Sequence, residues 1–339
     1  MNKKTIGLLY GLYLLFASCS SHERTIVTQF TNEIVLNAKV ISVPPILFLP
    51  EALFIVNDYL IVMQPQKDTI FNVFHLPECA YLYSGGTKGG GPNEFVQPYS
   101  NFVSVSKSDF KIIDAGLFVK TIHMNNNTFL INNTKRITNN DQLINGMVEL
   151  NNSTYCILNC ISADKEYLMV DTAGVETAFS NYPKLTPVNS AEEGFSIYFK
   201  YLVAPPIKKD KFAAFYNSFK FIRYYDINGN LLKEIDVNIN PSHTSITYDI
   251  RDRYIYYYKP VATERYIYAL CMNKTDRALE NDLESMNMEI QVWDWNGKPV
   301  MKYILDKPFT VFTVSSDDKT LYASSFFVED EIFVFDMIH

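Results

Sequence analysis

Apolar and aromatic residues along this chain come in short runs, not at the three-to-four spacing of an amphipathic helix. LFIVNDYLIVM (53–63), KFAAFYNSFKFIRYYD (211–226) and RYIYYYKPV (253–261) are rich in β-branched and aromatic side chains and are broken by turn residues. Such runs predict strands. One motif recurs: an apolar strand ends on a polar residue, a tight turn follows, and a second apolar strand begins. It is centred on His75, His123, Asp171, Asp226, Asp294 and Asp336, at intervals of 48, 48, 55, 68 and 42 residues. Asn-Gly follows Asp226 and Asp294 at the same offset, a hairpin signal because both residues tolerate the positive φ of a primed turn.

Six units of about fifty residues, each with room for four short strands, predict an all-β fold, a six-bladed β-propeller. A lone blade cannot bury both of its faces, and neighbours stacked around an axis bury them together. The last unit stops just after one strand pair, at Asp336–His339, whereas Thr25–Val43 carries strand-like residues ahead of the first unit. The ring is therefore expected to be closed by this N-terminal strand segment, which removes an unpaired edge. One unit is long: residues 271–289 are polar and helix-tolerant, and read as an exposed loop or a docking flap.

The leader is read separately. Lys3 and Lys4 precede an eleven-residue apolar run, Ile6–Phe16, too short to span a bilayer. It ends at Phe16-Ala17-Ser18-Cys19. Residues 1–18 read as a signal peptide, Cys19 as the lipidation site, 19–24 as a tether and 25–339 as the propeller. The composition is 14% aromatic with 13 glycines, suited to packed strands. Net charge is −7, with no long basic run, which argues against nucleic acid. Cys156 and Cys160 lie in TYCILNCI. Four extended residues hold them roughly 13 Å apart, against about 5.5 Å for a disulfide, so both are expected to be free thiols.

GGTKGGGPNEF (85–95) tests for nucleotide chemistry. A phosphate loop needs GxxxxGK[ST] or GxGxxG running from a strand into a helix. Here Lys88 precedes the glycine triplet, Pro92 opens no helix, and a strand-like run follows. The stretch resembles the blade-to-blade crossing of NHL-type propellers in Gly86, Gly89, Gly91, Phe95 and Pro98. Together with Cys19 and its small-residue approach, the N-terminal strand and Trp293–Pro299, it makes the chain similar to six-bladed TolB-like or NHL-like lipoproteins of Bacteroidetes. The resemblance implies a propeller tethered at the outer membrane, facing periplasm or exterior; Ser20 following Cys19 permits that sorting. It also implies O-glycosylation at Asp68-Thr69-Ile70 and Asp171-Thr172-Ala173.

Catalytic signatures are sparse. No HExxH, paired-His spacing or GxSxG is present, and Ser315–Lys319 lacks the spacing of a calcium loop. No cofactor is implied. The binding candidates are Lys88, Arg251, Arg253, Tyr254 and Tyr256, where Arg alternates with Tyr and offers stacking faces and a planar fork, with Glu264 and Arg265 expected at the same rim. The expected function is non-catalytic binding of an envelope protein, peptide or glycan on one propeller face. The enzymatic alternative is a calcium-dependent hydrolase or lyase of the lactonase type, with ligands from several blades converging in the axial channel.

Overall fold

The computed structural model describes residues 23–338 apart from 126, 140, 152–153, 240–246, 248 and 283–285. Expectations that fall on the signal peptide, Cys19 and the start of the tether lie outside the described residues.

Six sheets each begin with an inner strand, and in chain order we call them blades 1 to 6. The inner strands are Ala52–Val56, Pro98–Ser106, Met147–Glu149, Lys200–Val203, Tyr254–Ala262 and Val311–Val314. Each inner strand contacts the next, and the last contacts the first, so the ring is closed. The chain is a six-bladed β-propeller. Its core is divided: six hydrophobic clusters each draw on two neighbouring blades. Middle strands such as Tyr59–Met63 and Phe221–Asp226 are buried along nearly their whole length, because a blade packs on each side. Outer strands such as Thr128–Arg136 are mostly exposed. That explains continuous apolar runs where a one-sided sheet would alternate.

The N-terminal segment does more than complete one blade. β1 (Glu23–Val27) pairs in parallel outside Leu231–Val237 of blade 4, and β2 (Glu33–Leu36) pairs in parallel outside Pro299–Leu305 of blade 5. β3 (Lys39–Ser42) then supplies the antiparallel outer strand of blade 6. β1 starts inside the expected tether, where Arg24 Nε donates to Asp236 at 2.8 Å.

The recurring polar residue lies within two residues of the end of the third strand of each blade. In blades 3, 4 and 5 it caps the turn identically: Asp171, Asp226 and Asp294 Oδ1 each accept the main-chain N–H groups two and four residues on, at 2.8–2.9 Å. The Asn-Gly turns are not two-residue primed turns. Gly229 (φ +81°) and Gly297 (φ +73°) are left-handed while Asn228 and Asn296 are not. Each N–H reaches back to the aspartate carbonyl at 3.1 and 3.0 Å, a turn followed by a glycine bulge. The side-chain cap holds the asparagine out of positive φ. The long unit is not a bare loop: Cys271–Thr275 extend the second strand of blade 5, and α2 (Asp276–Asp282, after α1 at Ala191–Ile197) follows. Cys160 is half-exposed and lies beyond the strand Tyr155–Leu158 that holds buried Cys156.

Candidate functional site

Strand order gives the ring two unlike ends. The crossings from one blade's outer strand to the next blade's inner strand share a face with the loops joining second and third strands; we call it the crossing face. The remaining hairpins form the turn face.

The glycine stretch is the crossing from blade 1 to blade 2. Gly86 has φ +76°, and a Cβ there would sit 2.6 Å from the Phe71 ring. Gly91 N–H donates to Glu94 Oε2 at 2.7 Å. Phe95 is fully buried among residues of both blades, edge-on to Phe71 with ring centres 5.5 Å apart. Asp114 accepts Val96 and Gln97 N–H at 3.1 and 2.7 Å, and Lys120 pairs with Asp114 at 2.7 Å while donating to the Glu94 carbonyl. Pro98 opens the next inner strand. Lys88 is half-buried at the end of Ala80–Lys88, beside a smaller cavity of about 360 Å³ that Glu51 also lines.

The two binding candidates near the inner strand of blade 5 do not share a rim. Arg251, Arg253 and Tyr254 lie where that strand starts and Glu264 and Arg265 just past its end, roughly 30 Å away along an extended chain. Their side chains are also engaged. Arg251 pairs with Glu280 of α2 at 2.6 Å, and Arg277 of α2 returns to Asp252 at 2.8 Å. Arg253 donates to Ser196 Oγ at 2.9 Å. Tyr256 is buried between blades 4 and 5, stacked on Tyr254. Arg265 Nε donates to Asp318 at 2.7 Å, and Glu264 accepts the Ile207 N–H at 2.6 Å.

The axis holds a cavity of about 620 Å³, walled by the inner strands. At its turn-face end the loop 204–210 runs from Glu264 of blade 5 toward Lys209, which bonds Ser104 Oγ of blade 2 at 2.9 Å and Glu149 of blade 3. Glu149 also accepts from Lys111. Burial pushes the Glu149 carboxyl up, but hydrogen bonds from Lys111 and Lys209 more than offset it, and its pKa falls below the ordinary range. On the opposite wall Lys259 reaches from blade 5 past blade 6 to blade 1, donating to the Glu51 carbonyl at 2.6 Å. Ser100 Oγ donates to the Glu51 carboxylate at 3.0 Å. Nothing in the sequence marked Lys259; the register that places it in the cavity arises only once the strand pairs.

Among the described residues, no three His, Cys, Asp or Glu side chains come together as a metal site. Asp318, in the turn Ser315–Lys319 that lacks calcium-loop spacing, is fully buried against blade 5 and accepts from Thr263, Arg265 and Tyr268 at 2.6, 2.7 and 3.0 Å. His123 bonds Asp109 at 2.6 Å within its own hairpin. Thr69 and Thr172, the glycosylation candidates, are both exposed.

Exposed apolar side chains concentrate on the crossing face. Ile46, Phe48 and Leu49, in the crossing from blade 6 to blade 1, are 55%, 41% and 40% exposed, and Phe326 is 40% exposed. These are neighbours, since Leu47 N–H donates to the Glu329 carbonyl and Val43 N–H to that of Asp330. Val96 and Leu143 extend the apolar rim, against Val175 and Ile207 on the turn face.

A family model described as TolB-like 6-blade propeller-like matches residues 29–317. Among solved structures, a member of the duf4221 family from Bacteroides vulgatus aligns with a TM-score of 0.63 at 10% identity, covering 89% of this chain and 97% of its own. That likeness shows the fold alone. Weaker likenesses carry no argument: Chaetomium thermophilum Raptor (TM-score 0.49, 11% identity, 92% of this chain and 29% of that one) and the Myceliophteria thermophila Cps50 (Swd1) propeller domain (0.48, 12%, 88% and 100%). No curated protein matches this chain in sequence.

Proposed function

The chain belongs to the TolB-like six-blade propeller family, and on that footing we propose that it is a non-catalytic binding lipoprotein of the cell envelope, docking a protein partner on its crossing face. The observation that carries this reading is the exposure of Ile46, Phe48, Leu49 and Phe326 on two neighbouring segments of that face. A cluster of large exposed apolar side chains rimmed by polar residues is the usual mark of a protein-docking surface.

The tether supports the same face. β1 runs parallel to Leu231–Val237, which leaves the turn at Asp226–Gly229, so Glu23 lies at the turn-face edge of blade 4. Three residues, Ser20 to His22, separate it from Cys19, a reach over four residue steps of roughly 14 Å at most. A lipid on Cys19 therefore holds the turn face toward the outer membrane and leaves the crossing face free for a partner.

Two measurements on the full-length protein test the proposal. Labelling cells with a clickable palmitate analogue should mark the wild-type chain but not Cys19→Ser; equal labelling refutes the anchor. Photo-crosslinking amino acids at Phe48 and Phe326 should trap one discrete envelope protein, and those at Val175 and Ile207 should not. Trapping from the turn face alone, or capture of glycan in place of protein, would overturn the docking assignment.

A further inference from the structure

Lys259 is placed at some structural cost. It lies in the inner strand of blade 5 at φ +38°, a value non-glycine residues rarely adopt, and the pairing with Tyr266–Thr275 slips between Tyr258 and Val261. This bulge turns the side chain from the sheet into the 620 Å³ axial cavity. There the amine lies 5.5 Å from the Tyr258 ring, which meets Tyr201 of blade 4 edge-on. Backbone strain persists where surrounding structure holds it, and it gathers at functional positions.

Lys200, the most buried lysine among the described residues, is a useful contrast. Lys200 pairs with the Glu166 carboxylate and sits over the rings of Tyr167, Tyr182 and Tyr216, so its amine is fully occupied in joining blades 3 and 4. Lys259 instead donates to a main-chain carbonyl, which orients the nitrogen without neutralising it. The Glu51 carboxylate makes no ion pair with the amine and is held by Ser100.

We propose that Lys259 is a nucleophilic amine that captures a small aldehyde or ketone in the axial cavity as an imine. This inference is independent of the anchor and of the docking face. The neutral amine adds to the carbonyl carbon, forming the C–N bond as the carbonyl π pair moves onto oxygen, which takes up the proton that the nitrogen then sheds. The carbinolamine then loses that oxygen as water while the nitrogen lone pair closes the C=N bond, with no net oxidation or reduction. The ammonium gives its proton to solvent, solvent returns one to the departing hydroxyl, and the Glu51 carboxylate acts on the amine through its charge alone. Burial, opposed by the charge of Glu51, brings the Lys259 pKa down to about 8. The neutral fraction at pH 7 is then about two orders of magnitude above that of a surface lysine. Desolvated lysines gain nucleophilicity at neutral pH in this way.

The test is reductive trapping on the full-length protein. Formaldehyde, acetaldehyde and pyruvate are each added at limiting concentration with cyanoborohydride, and every lysine is followed by peptide mass mapping. Lys259 should acquire adducts about tenfold faster than surface lysines such as Lys298 at pH 7, with a rate that levels off above pH 8. Lys259→Arg should keep the melting point and lose the fast adduct. Glu51→Gln removes a charge that favours the ammonium and should speed trapping at Lys259 near pH 7, leaving the surface lysines unchanged. Labelling that simply follows exposure, or a Lys259 that takes none of the three probes in the folded protein, would overturn the proposal.

Discussion

Val40 of β3 stands opposite Phe333 of the last long strand, and this antiparallel register joins the two ends of the chain into one blade. β3 is therefore the closure itself, whereas β1 and β2 are additions to blades 4 and 5 that already have four strands.

Two truncations should separate these contributions. A chain starting at Asn37 loses buried Val27 and Leu36, about 1.5–3 kcal/mol each, and should remain a cooperative folder with a lower melting point. A chain starting at Val43 also loses β3, opens blade 6 and should lose cooperative unfolding. Equal melting curves for the two would place closure elsewhere.

Gly86 and Gly90 offer a matched pair in one crossing. Gly86→Ala must hold an L-residue at φ +76° and force a Cβ against the Phe71 ring. Left-handed strain and overpacking together should cost about 2–4 kcal/mol. Gly90 faces open space, so Gly90→Ala should stay within about 0.5 kcal/mol. Urea denaturation of both variants checks the ordering.

Asp318 and Arg265 are unequal partners in one ion pair. The aspartate side chain is fully buried and the arginine side chain 59% exposed. Asp318→Asn leaves Thr263, Tyr268 and Arg265 poorly matched at the interface of blades 5 and 6 and should cost about 2–4 kcal/mol. Arg265→Ala should cost far less, because its side chain is exposed and solvent screens the pair. A larger loss for Arg265→Ala in thermal melts would contradict the burial ordering.

Glu149 should shape the acid limb of stability. Its pKa is lower in the folded than in the unfolded protein, so its contribution is complete above the unfolded value and fades as pH falls through the folded one. At pH 7, Glu149→Gln leaves Lys111 and Lys209 without their carboxylate and should destabilise by about 3 kcal/mol. The gap from wild type should narrow steadily from about pH 5 downward. A constant gap in urea melts across that range would remove Glu149 from the acid response.

The architecture was legible in the sequence because each blade is a local object. Strands adjacent in the chain pair with one another, and the polar residue near the end of each third strand recurs wherever a hairpin must turn. The turn chemistry was misjudged at Asn228 and Asn296, where the aspartate cap fixes the backbone before the asparagine's own tolerance counts. The candidate site was much less legible. Arg251 and Arg265 are close in the chain but lie at opposite ends of one strand, and each is taken by a carboxylate from a distant segment.

The sequence by itself determined the all-β repeat, the blade number and the use of the N-terminal segment for closure, since these rest on period, turn residues and the shortfall of the last unit. Only the tertiary structure decided which side chains meet. Glu149, Lys209 and Ser104 come from three blades, and Lys259 reaches Glu51 across the axis. A ring places residues far apart in the chain at one axis, and strand pairing with its bulges decides which of them face it.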